Sequence, residues 1–163
     1  MRAVLAAAGL LCAGLLAGCG FTPLYATPGV TPNLAAVEVV TPDGRTGHIL
    51  SEELKDDLAV DGRPARYRLN LAVDETRYAR GLSTEEVATW YELSVRVNYS
   101  LVEIATGKTV TAGVVPVSIS YGAVSDPYGG IVAQQDGQQR AAGEAAQRLR
   151  LELGRYFAEH NAG

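Results

Sequence analysis

The chain has 163 residues, with 14 basic against 18 acidic side chains and 47% hydrophobic residues. That length suits a single domain with one core. The net charge of −4 gives no reason to look for a nucleic-acid partner.

Met1-Arg2 supplies a minimal positive start, and an apolar run from Ala3 to Leu16 follows, broken only by Gly9 and Gly14. The run falls short of the about 20 apolar residues that a membrane-crossing helix needs. It has the length of a signal-peptide core. Leu16-Ala17-Gly18-Cys19 then resembles a bacterial lipobox, with cleavage expected between Gly18 and Cys19. A plain cleavable signal or an N-terminal anchor helix is the alternative. On the lipobox reading residues 1–18 are a lipoprotein signal peptide, and Cys19 becomes the lipidation site, carrying a covalent N-acyl diacylglycerol lipid. Each buried CH₂ contributes about 0.8 kcal/mol, so three acyl chains anchor permanently where one would not. Gly20 follows the cysteine, where an Asp would resemble an inner-membrane retention signal. The destination expected is the outer membrane, lipid-anchored on the periplasmic side. Cys12 leaves with the signal and Cys19 is acylated, so neither a disulfide nor thiol chemistry remains.

Residues 19–33 read as a lipidated tether, because Phe21 to Pro32 holds three prolines and Gly29. Phe21, Leu24 and Tyr25 within it either dock on the domain or headgroups, or seat the chain on a partner. The folded domain is expected over 34–163. Leu34 to Val40 is the first strand, ended by the turn residues Thr41-Pro42-Asp43-Gly44. A helix from Thr46 or Gly47 to about Val60 carries Leu50, Leu54 and Leu58 on one face. Asp61-Gly62-Arg63-Pro64 stops it.

Tyr67, Leu69, Leu71 and Val73 alternate with polar residues in a strand over 65–78, and Arg80-Gly81-Leu82-Ser83 is a hairpin segment. The longest strand pattern runs from Val87 to Ile104, with Tyr91, Leu93, Val95, Val97, Tyr99 and Leu101 on one face. A turn at 105–108 leads to a strand from Thr109 to Tyr121, which Pro116 marks as an edge or a bulged strand. A long helix from about Ile131 to His160 has an Ala/Leu stripe ending in Tyr156 and Phe157. The result is an α+β fold: a four-stranded mixed sheet with two helices packed on one face, in the order β-α-β-β-β-α.

His48 and His160 lack any triad or metal-ligand spacing. The carboxylate pairs Glu52-Glu53, Asp56-Asp57 and Glu85-Glu86 are sequence neighbours whose side chains point apart, poor partners for acid–base work. No enzyme, no metal site and no cofactor beyond the lipid is expected. One cluster stands out: Arg66, Arg68, Arg77 and Arg80, with Arg63 nearby and Arg96 on the next strand. Arginine forks suit phosphates and carboxylates. A solvated face with ion pairs to Asp74, Glu75 and Glu92 accounts for them equally well. Trp90 shares the polar side of Glu92, as exposed apolar area of the kind that interfaces use.

Cys19-Gly20-Phe21-Thr22-Pro23-Leu24-Tyr25 resembles the start of the lipopolysaccharide-assembly lipoprotein family, LptE. The likeness continues through the Pro-rich tether, the Tyr67/Leu69 and Tyr91/Leu93 strands, the Gly107-Lys108 turn and the Ala-rich last helix. Thr22-Pro23-Leu24-Tyr25 replaces a His-Leu-Arg-type continuation and resembles an alphaproteobacterial branch; of the family's residues only Cys19 is carried over. The resemblance implies a protein without catalysis that plugs the outer-membrane barrel LptD and assists its assembly in lipopolysaccharide transport to the outer leaflet. The arginines would then meet lumen carboxylates or lipid A phosphates, lipopolysaccharide itself being a possible ligand. An auxiliary lipoprotein of a lipid-transport ABC system is the alternative.

Overall fold

The computed structural model describes residues 29–60, 62–82 and 88–160. The signal peptide, Cys19, the aromatic residues of the tether, Asp61, Ser83, Glu85-Glu86 and Val87 lie outside the described residues. In chain order the elements are α1 (Val30–Ala35), β1 (Val37–Val39), α2 (Gly44–Asp57), β2 (Tyr67–Leu82), β3 (Ala88–Glu103), β4 (Lys108–Gly122) and α3 (Pro127–His160). The sheet order is β1-β2-β3-β4. β1 lies parallel to β2, which the crossover through α2 requires, and the other two pairings are antiparallel. This is the expected four-stranded mixed sheet of an α+β fold, with both long helices on one face and a short third helix before them.

The alternation along each strand builds the core. Leu69, Leu93, Val95, Val97 and Leu101 face the helices and are fully buried, as are Leu50 and Leu54 of α2. Ala141, Ala142, Ala145 and Ala146 are buried too, and their short side chains bring α3 close to the sheet before Leu149, Leu153 and Phe157 fill the far end. Each fully buried Leu or Val contributes about 1.5–3 kcal/mol relative to exposure.

Four boundaries differ from the sequence reading. Residues 30–33 are not extended: Val30 and Leu34, one turn apart, are buried in the core as the inner face of α1. Pro32 fits because the first-turn N–H groups of a helix have no partner within it. The folded unit therefore includes Val30, and the first strand shrinks to Val37–Val39.

Next, α2 stops at Asp57, not Val60. Ala59 takes the left-handed conformation (φ 53°), and its N–H bonds to the Asp56 carbonyl while Val60 N–H reaches Lys55. This pair of bonds satisfies the last carbonyls of the helix and turns the chain away. The hairpin segment at Arg80 to Leu82 is strand, since the β2–β3 register keeps its alignment from Arg80 opposite Trp90 to Leu82 opposite Ala88. Finally, α3 begins at Pro127. Asp126 accepts the Gly129 N–H at 2.7 Å, and proline suits the first helical position.

Pro116 does sit on an edge strand, β4, whose one irregularity falls between Leu101 and Val102 of its neighbour, where Val110 is the extra residue. Gly47 marks a close approach of α2 to the preceding loop. A Cβ there would lie 2.7 Å from the Pro42 carbonyl oxygen. Gly47→Ala should therefore destabilise the fold by about 1–3 kcal/mol, although alanine is the better helix former by about 1 kcal/mol. Urea denaturation of the two proteins checks the sign.

Candidate functional site

With all helices on one face, the other face of the sheet is open. Even-numbered residues of β2 and β3, and of β4 from Ala112 onward, point there, in the register Asp74–Arg96–Pro116 and Asn98–Val114. The face is laid with short polar and small side chains, Ala72, Ser94, Asn98, Ser100, Ala112, Ser118 and Ser120, bonded across strands. Asn98 donates to Asp74 at 2.9 Å and Ser118 to Glu92 at 2.8 Å. Tyr78, Trp90 and Val114 add exposed apolar area to this polar ground.

The five arginines do not form one cluster. Arg68, Arg80 and Arg96 share the open face, but Arg68 and Arg80 are twelve residues apart on β2, roughly 40 Å at strand rise. Arg68 is paired with Glu38 and Arg80 with Glu92, both at 2.9 Å. Arg96 stands opposite Asp74 with no hydrogen bond or ion pair among the described residues. Arg66 lies just before β2 and donates to Asn33 of α1 at 3.2 Å. Arg77 points to the helix side instead: it donates to Gln134 of α3 at 2.9 Å and lies 4.8 Å over the Tyr91 ring. Its odd number gives it the parity of Tyr67 and Leu69, so alternation alone assigns it to that side. Of the expected carboxylate partners only Glu92 holds an arginine; Glu75 accepts from Thr46 and Gln138, and Asp74 from Asn98.

The Ser118 hydroxyl, then Arg80, hold the Glu92 carboxyl below its ordinary value of 4.5. A depressed carboxylate contributes its stability above the unfolded pKa and loses it as pH falls through the folded one. Because these pairs are solvated, Arg68→Ala and Arg80→Ala should each change stability by less than about 1 kcal/mol. A larger loss by chemical denaturation would mean that the pairs hold the sheet together.

A second region was not read from the sequence. Where the β2–β3 hairpin, the end of β4 and the start of α3 meet, Arg77, Tyr91, Tyr121, Val124, Ile131 and Gln134 line a groove of about 240 Å³. Val124, Tyr128, Ile131 and Val132 are exposed around it, Tyr128 at 81%. The signal was present: between Pro127 and Gln135 α3 carries no charged side chain, while apolar residues fall outside the Ala/Leu stripe.

Neither histidine enters a site. His48 is exposed on α2, and His160 stacks on Tyr156 with a ring nitrogen 2.9 Å from the Tyr156 carbonyl. Among the described residues no His, Cys, Asp and Glu gather into a metal-binding group, and no helix is long and apolar enough to cross a membrane.

Residues 34–153, from the end of α1 well into α3, match the family described as LptE: lipopolysaccharide-assembly. The chain belongs to the LptE family. A lipoprotein from Caulobacter crescentus CB15 is 41% identical, with a TM-score of 0.71 over 83% of this chain and 99% of that one. A minor lipoprotein from Acinetobacter baumannii (16% identity, TM-score 0.53, 74% of this chain and 92% of that one) shares the fold. So does lipoprotein B from Nitrosomonas europaea (14% identity, TM-score 0.55, 78% of this chain and 84% of that one). No curated protein matches the chain. As an LptE-family member, the chain has its role in lipopolysaccharide assembly.

Proposed function

We propose that this LptE-family chain is a non-catalytic, lipid-anchored protein of the outer membrane that plugs the LptD barrel from the periplasmic side. In that place it assists assembly of the barrel and delivery of lipopolysaccharide to the outer leaflet. The family match over residues 34–153 carries this reading. The open sheet face supports it physically. Barrel interiors are polar, and a face of Ser, Asn and Ala on which Arg68 and Arg80 are already paired suits such a wall, with Arg96 left to meet a carboxylate of the barrel. The groove at the hairpin end adds the apolar area that a stable interface needs at its centre. Lipid on Cys19 would hold the domain at the membrane by about 0.8 kcal/mol per buried CH₂.

Depletion of the protein from its own cells tests this function. The reading expects LptD to lose its heat-modifiable, folded form and lipopolysaccharide to disappear from the cell surface. Fully folded LptD and normal surface lipopolysaccharide after depletion would rule the role out.

A further inference from the structure

At the opposite end of the molecule from the hairpin, a second groove opens beside β1. The two ends are the two ends of β2, Tyr67 and Leu82, roughly 50 Å apart at strand rise. Ala35, Ala36, Val39, Val60 and Ala65 line this groove, which holds about 310 Å³. Val60 is 38% exposed within it. The charges at its rim are engaged: Glu38 with Arg68, Lys55 with Glu52, and Arg63 also has a partner. The groove therefore offers apolar area and no free charge.

Its first lining residue, Ala35, is the last of α1, so the chain that enters α1 arrives close by. α1 is six residues long, about 9 Å. Gly29 ahead of it has φ 89°, a left-handed conformation that turns the chain just before the helix. Phe21-Thr22-Pro23-Leu24-Tyr25-Ala26-Thr27-Pro28 precedes Gly29 and lies outside the described residues. At the polyproline rise the four residues from Gly29 back to Tyr25 span about 12 Å, and the eight back to Phe21 about 25 Å. Leu24 and Tyr25 can thus reach Ala35 by running back along α1. The hairpin groove is beyond the reach of all three apolar residues.

We propose that Leu24 and Tyr25 of the chain's own tether dock in the groove beside β1. Reach and composition select this occupant. A four-residue link holds the pair near its own groove at an effective concentration of about millimolar, which a separate apolar partner does not match. Leu and Tyr bring no charge to a groove that has none to spare. On the lipobox reading, docking leaves only Gly20 to Pro23 as free tether, so the α1 end of the domain stays close to the lipid and the hairpin groove lies at the far end. The open sheet face and the hairpin groove remain uncovered, and the docking stands whether or not a barrel is the partner.

Photo-crosslinking of the full-length lipoprotein in intact outer membranes tests the proposal, with p-benzoylphenylalanine in place of Tyr25 to keep an aromatic ring there. Peptide mapping of the monomer band should place the link within the same chain, on residues 35–39 or 60–65. The same group in place of Tyr128 should link to neither stretch. Leu24→Asp lies ahead of every described element and should cut the intrachain link by about tenfold or more, because a carboxylate loses its water on entering the groove. Ala65→Glu should do the same from the other side. Links from position 25 chiefly to lipid, to a second copy or to another protein, no intrachain link, or one undiminished by Leu24→Asp or by Ala65→Glu would overturn the proposal.

Discussion

Phe157→Ala should lower the stability of the domain by about 3–5 kcal/mol, the usual cost of truncating a buried aromatic ring. Phe157 is 1% exposed and forms the last apolar layer of α3. Its ring centroid lies 5.1 Å from Tyr67 at the start of β2 and 5.3 Å from its neighbour Tyr156. Loss of the ring removes both aromatic contacts and leaves a void where β2 meets the end of α3. Against a total stability of about 5–15 kcal/mol, that loss is a large share, and Tm should fall by more than about ten degrees. Leu151→Ala, six residues earlier and 47% exposed, is the control and should stay within about 0.5 kcal/mol. Thermal and urea unfolding of the three proteins checks both. A small effect of Phe157→Ala would mean that the last turns of α3 are not part of the cooperative core.

Cys19→Ala, exported behind a signal peptide that is cleaved without a cysteine, should release the protein from membranes when it is expressed without its partners. The argument is additive. At about 0.8 kcal/mol per buried CH₂ one chain binds marginally and three chains do not leave. No described helix can replace them as an anchor, and the only other cysteine, Cys12, lies in the expected signal peptide. Fractionation after a high-salt wash should find the natural chain in the pellet and the variant in the soluble fraction. A Cys19→Ala variant that stays with the membranes would show that the anchor lies elsewhere.

The fold was legible where one periodicity ran long enough to exclude the other. Leu93 through Leu101 alternates without a break and pairs on both sides, and Leu50, Leu54 and Leu58 mark the inner face of α2. Pro116 marked its own strand as an edge or a bulged one, and β4 is an edge. What was missed depends on single residues in unusual settings. Three prolines between Phe21 and Pro32 suggested an extended chain, yet Pro32 sits in a first helical turn, which needs no N–H from it. Ala59 in the left-handed region closes α2 early, a conformation that alanine rarely signals. Asp126-Pro127, a cap followed by a first-position proline, was a readable start for α3.

The arginines show the same limit at the level of the site. Proximity in sequence grouped Arg66, Arg68, Arg77, Arg80 and Arg96, but a strand separates its residues by about 3.3 Å each and turns alternate ones to opposite faces. Arg77 therefore went to the helix side, and the rest spread along the sheet, Arg68 and Arg80 each already holding a carboxylate. The apolar hairpin end has no motif at all. It emerges because Gly122 of β4 pairs with Trp90 of β3, which brings Pro127 and Ile131 of α3 beside that hairpin.

The most direct test of the plug reading is affinity purification of the full-length lipoprotein from detergent-solubilised outer membranes, with co-eluting proteins resolved with and without boiling. The account predicts one large β-barrel at a one-to-one ratio whose mobility changes on heating. An inner-membrane ABC permease in its place, or no stable partner, would contradict it.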